Sequence, residues 1–160
     1  MDFVHDQLVD GRAFRVLAVL DNWSRESVLL EARFRLTGES VAAALSRVAR
    51  HRALPRSITV DHGTEFTSRA LDQWAWENGV LLDFTRPGKP TDNGLCESFN
   101  GRLRYECLNV HEFGSIEQAR QIEAWRIDYN DHRPHGALGH LTPSEYARSG
   151  RRRDAEEAKL

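Results

Sequence analysis

Three carboxylates, Asp2, Asp61 and Glu97, stand where this 160-residue sequence could most readily do chemistry. Asp61 directly follows the short β-branched run Ser57–Val60 and is trailed by His62-Gly63. That places it at the carboxyl end of a strand, where open α/β sheets form their sites. Position alone leaves a turn-forming aspartate as an open alternative. Glu97 falls in the first turns of a helix, and Gly101 and Arg104 follow at i+4 and i+7, so the three share one face. An ordinary solvated face fits that pattern equally well. Glycine inside a helix costs about 1 kcal/mol relative to alanine, however, and close approach of another chain is one way to offset it. Asp2 heads the first strand. If that strand lies in the middle of the sheet, Asp2 and Asp61 sit side by side and Glu97 reaches in from a helix above. Three carboxylates so placed repel one another and stay ionised only around a cation. Hard divalent ions such as Mg²⁺ take oxygen ligands of this kind. A pair of them about 3.5–4 Å apart clamps the attacking and leaving oxygens of a phosphoryl transfer.

The elements that must position these groups are legible in the hydropathy pattern. Asp10-Gly11 is a hairpin signal after a short mixed strand. Phe14–Leu20 is an apolar run suited to a buried central strand, and Val28, Leu30, Ala32 and Phe34 then alternate with more polar neighbours. Three consecutive strands with short turns predict an antiparallel meander. The period next becomes helical at Val41, Leu45 and Val48, and Pro55 bars continuation. Ser57–Val60 is a strand, Leu71, Trp74 and Ala75 mark a helix closed by Asn78-Gly79, and Val80–Thr85 is another strand. Arg86-Pro87-Gly88-Lys89-Pro90 reads as a loop, and Thr91, Asp92 or Asn93 can cap the helix that carries Glu97 to about Leu108. Ser115 and Gln118 form a capping box before a helix with Ile122, Trp125 and Tyr129 on one side. Thr142-Pro143 begins a last short helical turn. The order β-β-β-α-β-α-β-α-α predicts a mixed five-stranded sheet with helices packed on it.

Bulk properties narrow the classes. Apolar content of 40% and charged content of 29% are those of a globular domain. No apolar run approaches the roughly 18 residues a membrane span needs, and no signal peptide is visible, so a cytoplasmic location and no membrane partner are expected. Cys96 and Cys107 are too few for a disulfide framework or a zinc site and read as buried thiols. A net charge of −2 gives no bulk support for nucleic-acid binding. The local pattern is more informative, because Arg86, Lys89, Arg102 and Arg104 bracket the Glu97 segment.

Read together, Met1-Asp2-Phe3-Val4, Asp61-His62-Gly63-Thr64-Glu65-Phe66 and Asn93-Gly94-Leu95-Cys96-Glu97-Ser98-Phe99-Asn100-Gly101 resemble the three signature blocks of the integrase catalytic core. More narrowly, they resemble the transposases of bacterial insertion sequences, which share that core with retroviral integrases. Arg102 to Asn109 is similar to the continuation in those transposases, as is Tyr129-Asn130 … Arg133-Pro134-His135 … Leu138 … Thr142-Pro143, and 35 residues separate Asp61 from Glu97, the family's interval. The resemblance implies a ribonuclease-H-like α/β fold with a core over residues 1–147, and composition predicts a basic-then-acidic, disordered tail over 148–160. It implies an Asp-Asp-Glu polynucleotidyl transferase in which Asp2, Asp61 and Glu97 hold two Mg²⁺ or Mn²⁺ ions. Arg104 maps onto a DNA-contacting basic position, and Lys89, Asn93 and Asn100 onto the DNA path. The implied partners are DNA, as element ends and target, and further protomers or a full-length transposase. Water attack cuts the strand, and the freed 3′-hydroxyl then joins the target.

Two departures qualify these expectations. His62 stands where the family usually has asparagine; a structural role is expected for it rather than metal contact. The chain also begins almost at Asp2, so the first strand is expected to fray and Asp2 to be a poorly held ligand, with weak or no transposition and no recognition of element ends. A non-catalytic remnant that binds DNA or associates with intact transposase is therefore the alternative. A ribonuclease H acting on hybrids shares the fold, but the Glu97 and Tyr129–Pro143 blocks disfavour it.

Overall fold

The Asp10-Gly11 turn and the apolar run behind it build the middle of the sheet. Gly11 adopts φ +83°, a conformation that side-chain-bearing residues rarely take. It reverses strand β1 (Asp2–Gln7) into β2 (Ala13–Leu20), which pairs antiparallel with Asp2 opposite Ala18. Strand β3 (Ser27–Arg33) continues the meander on the other edge of β2. A computed structural model describes residues 1–86 and 93–157.

Period-two alternation along β2 feeds two cores. Val16 and Ala18 turn to one face, and Leu17 and Val19 to the other; Val16, Leu17 and Ala18 are all fully buried. Helix α1 (Gly38–Ala49) and helix α2 (Arg69–Glu77) cover the Leu17 face, with Val41, Leu45, Leu71 and Trp74 in that core. Helix α3 (Gly94–Leu103) and helix α4 (Gln121–His132) cover the Val16 face through Phe99, Leu103, Ile122 and Trp125. Thr37 caps α1 by accepting from the Ser40 N–H, and Ser68 caps α2 by accepting from the Leu71 N–H. Where these two N-termini meet, a Cβ on Gly38 would lie 1.8 Å from Ser68 Oγ, so only glycine allows the approach.

Strand β4 (Ser57–Val60) pairs in parallel with β5 (Leu81–Phe84). The five expected strands are thus present as a three-stranded antiparallel sheet and a two-stranded parallel sheet. One hydrogen bond joins them, from the Met1 ammonium to Thr59 O at 2.7 Å. The expected continuous ladder shrinks to this contact because β4 ends, at Val60, beside the residue where β1 begins.

The helix carrying Glu97 runs on as a π-helical turn, Arg104–Leu108, rather than as regular α-helix. The Ser115 capping box is half met. Ser115 Oγ accepts from the Gln118 N–H, but Gln118 Oε1 takes the Gly114 N–H instead of that of Ser115. Helix α5 (Pro143–Glu157) is far longer than one turn, and its backbone stays helical through residues whose composition predicts a disordered tail. No helix among the described residues is long and apolar enough to cross a membrane.

Asn130 fastens α4 to the sheet. Its side chain, 4% exposed, accepts from the Ser27 N–H at 2.8 Å and donates to Ser27 O at 2.9 Å, in the manner of another strand. Arg126 donates to the same carbonyl at 2.7 Å. Replacing Asn130 with alanine leaves the Ser27 N–H buried and unpaired, while Arg126 still serves its carbonyl. Asn130→Ala should therefore cost about 1–3 kcal/mol in chemical denaturation. Asn130→Asp, which keeps the acceptor, should cost less.

Candidate active site

Helix α3 lies over the start of β1, and the Asn100 side chain makes the connection. Asn100 Nδ2 donates to Asp2 Oδ2 at 2.8 Å, and Asp2 Oδ1 accepts from the Phe3 N–H at 2.7 Å. Asp2 is half-buried with both oxygens engaged, so the expected fraying of this end is not seen. Glu97 precedes Asn100 by three residues and is exposed on the same face of α3. Two turns beyond Glu97, Arg104 donates to His5 O at 3.1 Å, a second tie between this helix and β1. Asn100, expected on the DNA path, hydrogen-bonds the Asp2 carboxylate. Its spacing from Glu97 is the one signal for this in the sequence, but the partner, 98 residues away, is not visible there. Asn100 Oδ1 is buried and has no hydrogen-bond partner among the described residues. Among the described residues nothing beyond its own helix turn and chain neighbours lies within 4 Å of a Cβ placed on Gly101, so no contact among them demands that glycine.

Asp61 begins the loop after β4 and is exposed. Its Oδ1 accepts from the Gly63 N–H at 2.8 Å, and a Cβ on Gly63 would stand 2.9 Å from that oxygen. The glycine thus allows the turn that holds the carboxylate. Glu65 anchors the far end of the loop, accepting from Arg15 Nη1 on β2 at 2.6 Å, while Arg15 Nη2 donates to Leu36 O at 2.7 Å. Below this pair Phe3 and Phe66 stack with centroids 4.7 Å apart, and the Arg15 guanidinium lies 4.8 Å over the Phe3 ring. The sheet carrying Asp2 and the loop carrying Asp61 are therefore clamped together by a charge pair and an aromatic stack. No local pattern in the sequence announces the pairing of Arg15 with Glu65.

The Met1–Thr59 bond brings the start of β1 beside β4 two residues before Asp61. Asp2 and Glu97 flank Cys96, whose thiol is pushed up to about 11, chiefly by burial and further by those two negative charges. A thiol so raised is inert at neutral pH. Cys107 is buried as well. Among the described residues no group of three or more His, Cys, Asp or Glu side chains is gathered closely enough to hold a metal ion. The charges of Asp2 and Glu97 both act on Cys96, and Asp61 follows β4, whose Thr59 bonds the residue before Asp2.

The remaining candidates divide. The His62 ring packs 5.3 Å from that of Phe84, which gives it a structural contact. Asn93 stands at the N-cap of α3 without making a side-chain cap bond. Lys89, with Thr91 and Asp92, lies outside the described residues.

A family model described as integrase core domain matches residues 1–90, and a second with the same description matches residues 78–143. An insertion element IS407 protein of 31.7 kDa from Burkholderia multivorans is 51% identical over 148 residues, covering 92% of this chain and 53% of that protein. Transposase InsF for insertion sequence IS3A from Escherichia coli is 28% identical over 132 residues, covering 80% of this chain and 46% of its own length. The chain thus spans about half the length of these curated relatives. Among solved structures, the simian T-cell lymphotropic virus intasome in complex with a PP2A regulatory subunit contains a chain matching at TM-score 0.77 and 18% identity, over 91% of this chain and 51% of that one. The HTLV-2 integrase catalytic core domain in complex with magnesium, in a trimeric form, matches at TM-score 0.66 and 16% identity over 91% of both chains. The likeness to integrase cores bears out the ribonuclease-H-like α/β fold expected from sequence.

The Glu65 clamp has a definite pH signature. Burial pushes this carboxyl up, but the hydrogen bond from Arg15, with backbone, Thr64 and charge contributions, outweighs burial and holds the pKa below its ordinary value. Stability from a lowered acid is fully present above the unfolded-state pKa, about 4.3 for glutamate, and is lost as pH falls through the folded value. Glu65→Gln should lower the urea midpoint at neutral pH. The difference from wild type should shrink as pH drops below that range.

Proposed function

The chain belongs to the integrase core domain family, and on that premise we propose that it is the catalytic core of an insertion-sequence transposase. In this reading it cuts DNA and joins the freed end to a target strand through Asp2, Asp61 and Glu97. The observation that carries the reading is the Asn100–Asp2 hydrogen bond, which sets the face of α3 bearing Glu97 over the start of β1. The contact of Met1 with Thr59 supports it from the other side, because it aligns β1 with the strand that delivers Asp61.

The donor set fits a hard divalent cation. All three side chains offer carboxylate oxygens, and the buried Asn100 Oδ1, without a partner among the described residues, is one more oxygen beside Asp2. The HTLV-2 integrase core, which shares this fold, is in complex with magnesium, and that supports the same choice of ion, Mg²⁺ or Mn²⁺. Two such ions would supply charge neutralisation at the phosphoryl oxygens and a lowered pKa for the attacking water. The protein's part is alignment. Asn100 fixes the Asp2 carboxylate, Gly63 fixes that of Asp61, and Arg104 presents a cation two turns from Glu97 for a DNA phosphate. Lys89 and Asn93 extend this proposed DNA path. Joining two element ends calls for at least two protomers, through self-association or together with a longer transposase, and the cytoplasm is the proposed location.

A second reading is a core that binds DNA, or an intact transposase, without cleaving. The lack, among the described residues, of a gathered three-ligand cluster favours it.

Titration with Mg²⁺ or Mn²⁺ separates the two. In the catalytic reading wild type binds the ion and nicks DNA, and Glu97→Gln loses both together while DNA affinity survives. Nicking retained in Glu97→Gln would end that reading; DNA binding with no cation binding in wild type would favour the second. Arg104→Ala should weaken DNA binding and make the salt dependence of log K shallower by about 1.

A further inference from the structure

Three arginines converge on one buried aromatic cluster, on a flank of α3 away from the carboxylates. Tyr129 of α4, 3% exposed, meets Phe99 of α3 edge to face at 5.0 Å and His135 in the same manner at 5.1 Å. Arg102 follows Phe99 by three residues and so shares its flank of α3. Arg25 precedes Ser27 by two residues, and Asn130, next to Tyr129, grips the Ser27 backbone. Arg133 lies 5.3 Å over the Trp125 ring, which stacks on Tyr129. The charges of Arg102, Arg25 and Arg133 all reach the His135 ring. Arg133 is neutralised by Glu106 and Asp128. Among the described residues no carboxylate pairs with Arg25 or Arg102; Arg25 Nη1 donates to Asn22 O, a neutral carbonyl.

Two further features mark the place. Arg25 holds φ +61°, a conformation that glycine takes without strain, yet the position carries a guanidinium. His135 Nε2 is buried and has no hydrogen-bond partner among the described residues. Burial, and then the three arginines, hold the His135 pKa below its ordinary value, so the ring is neutral at pH 7 and carries one N–H. Burial pushes the Tyr129 hydroxyl up to about 12, so it too stays protonated. Cations without counter-ions beside donors without acceptors call for an anion.

We propose that Arg25, Arg102 and His135, with Tyr129 as the floor, form a pocket for one backbone phosphate of DNA. Guanidinium forks match phosphate oxygens, and two of them approach here from different elements. Arg102 stands two residues before Arg104 but about 200° round the helix, so the two cations flank α3 on opposite sides and meet different phosphates. The choice of DNA as the source of the phosphate rests on the function proposed above.

Duplex DNA and inorganic phosphate are the probes. Arg102→Gln should weaken duplex binding about tenfold near 0.1 M salt and make the salt dependence of log K shallower by about 1; combined with Arg104→Ala the slope should change by about 2. Arg25→Gly suits the backbone, so its thermal midpoint should stay within about 4 °C of wild type while its DNA affinity falls as in Arg102→Gln. Inorganic phosphate should shift the NMR signals of the His135 ring in wild type and not in the Arg25→Gly, Arg102→Gln double variant. An unchanged salt slope in Arg102→Gln, when wild type binds DNA, would overturn the pocket alone. Wild type that binds no DNA would end the proposed function with it. A phosphate response of His135 that persists in the double variant would also overturn the pocket. So would a dimer in light scattering that Arg102→Gln dissociates with DNA affinity kept, because the anion would then be a carboxylate of a second copy. If Arg25→Gly does not fold, Arg102→Gln, exposed on its helix, carries both readouts.

Discussion

The contact between the Met1 ammonium and Thr59 O carries more of this architecture than its size suggests. Among the described residues it alone, by backbone pairing, joins the antiparallel sheet to the parallel one. Side chains reinforce the junction: Met1, Ile58 and Val60 belong to one buried core, and Phe3 stacks on Phe66. Asp2 stands one residue beyond the bond and Asp61 two residues beyond its acceptor. The distance between the first two carboxylates is thus set at the point where the sheet is least continuous.

Rigidity around that junction comes from elements that are not themselves reactive. Arg15 ties β2 to Glu65 and to Leu36 O, so the loop after β4 is held by the central strand. Asn100 and Arg104 tie α3 to β1 at two heights. Asn130 and Arg126 hold α4 to the first residue of β3. In each case a polar side chain satisfies a backbone or carboxylate group, and the Ser27 groups met by Asn130 are buried, where a missing bond is costly. The family block Tyr129-Asn130 therefore has a structural explanation in this chain, separate from any contact with DNA.

The π-helical turn at Arg104–Leu108 belongs to the same scheme. Such turns interrupt regular helix and recur near functional sites. Here the turn follows the face that bears Glu97 and Asn100, and Arg104 sits at its first residue, bonded to His5 O. Burial of Cys107 and Leu108 in the core below fixes the rotation of the segment.

Much of this fold is readable from the chain alone because the signals are local. Alternation, the glycines of Asp10-Gly11 and Asn78-Gly79, and Pro55 specify strands, turns and helix ends within a few residues of themselves. The three signature blocks identify the family for the same reason, since each is a short contiguous run. Contacts made across the chain are not readable. That Asn100 orients Asp2, that Glu65 clamps to Arg15, and that five strands stand as three and two depends on residues tens of positions apart meeting in space. Hydropathy records which face of a segment is buried, but not which partner that face or a polar group on its rim will find. Sequence determined the elements and the chemical types at the site; tertiary packing decided their partners, and with them how near the carboxylates come to one another.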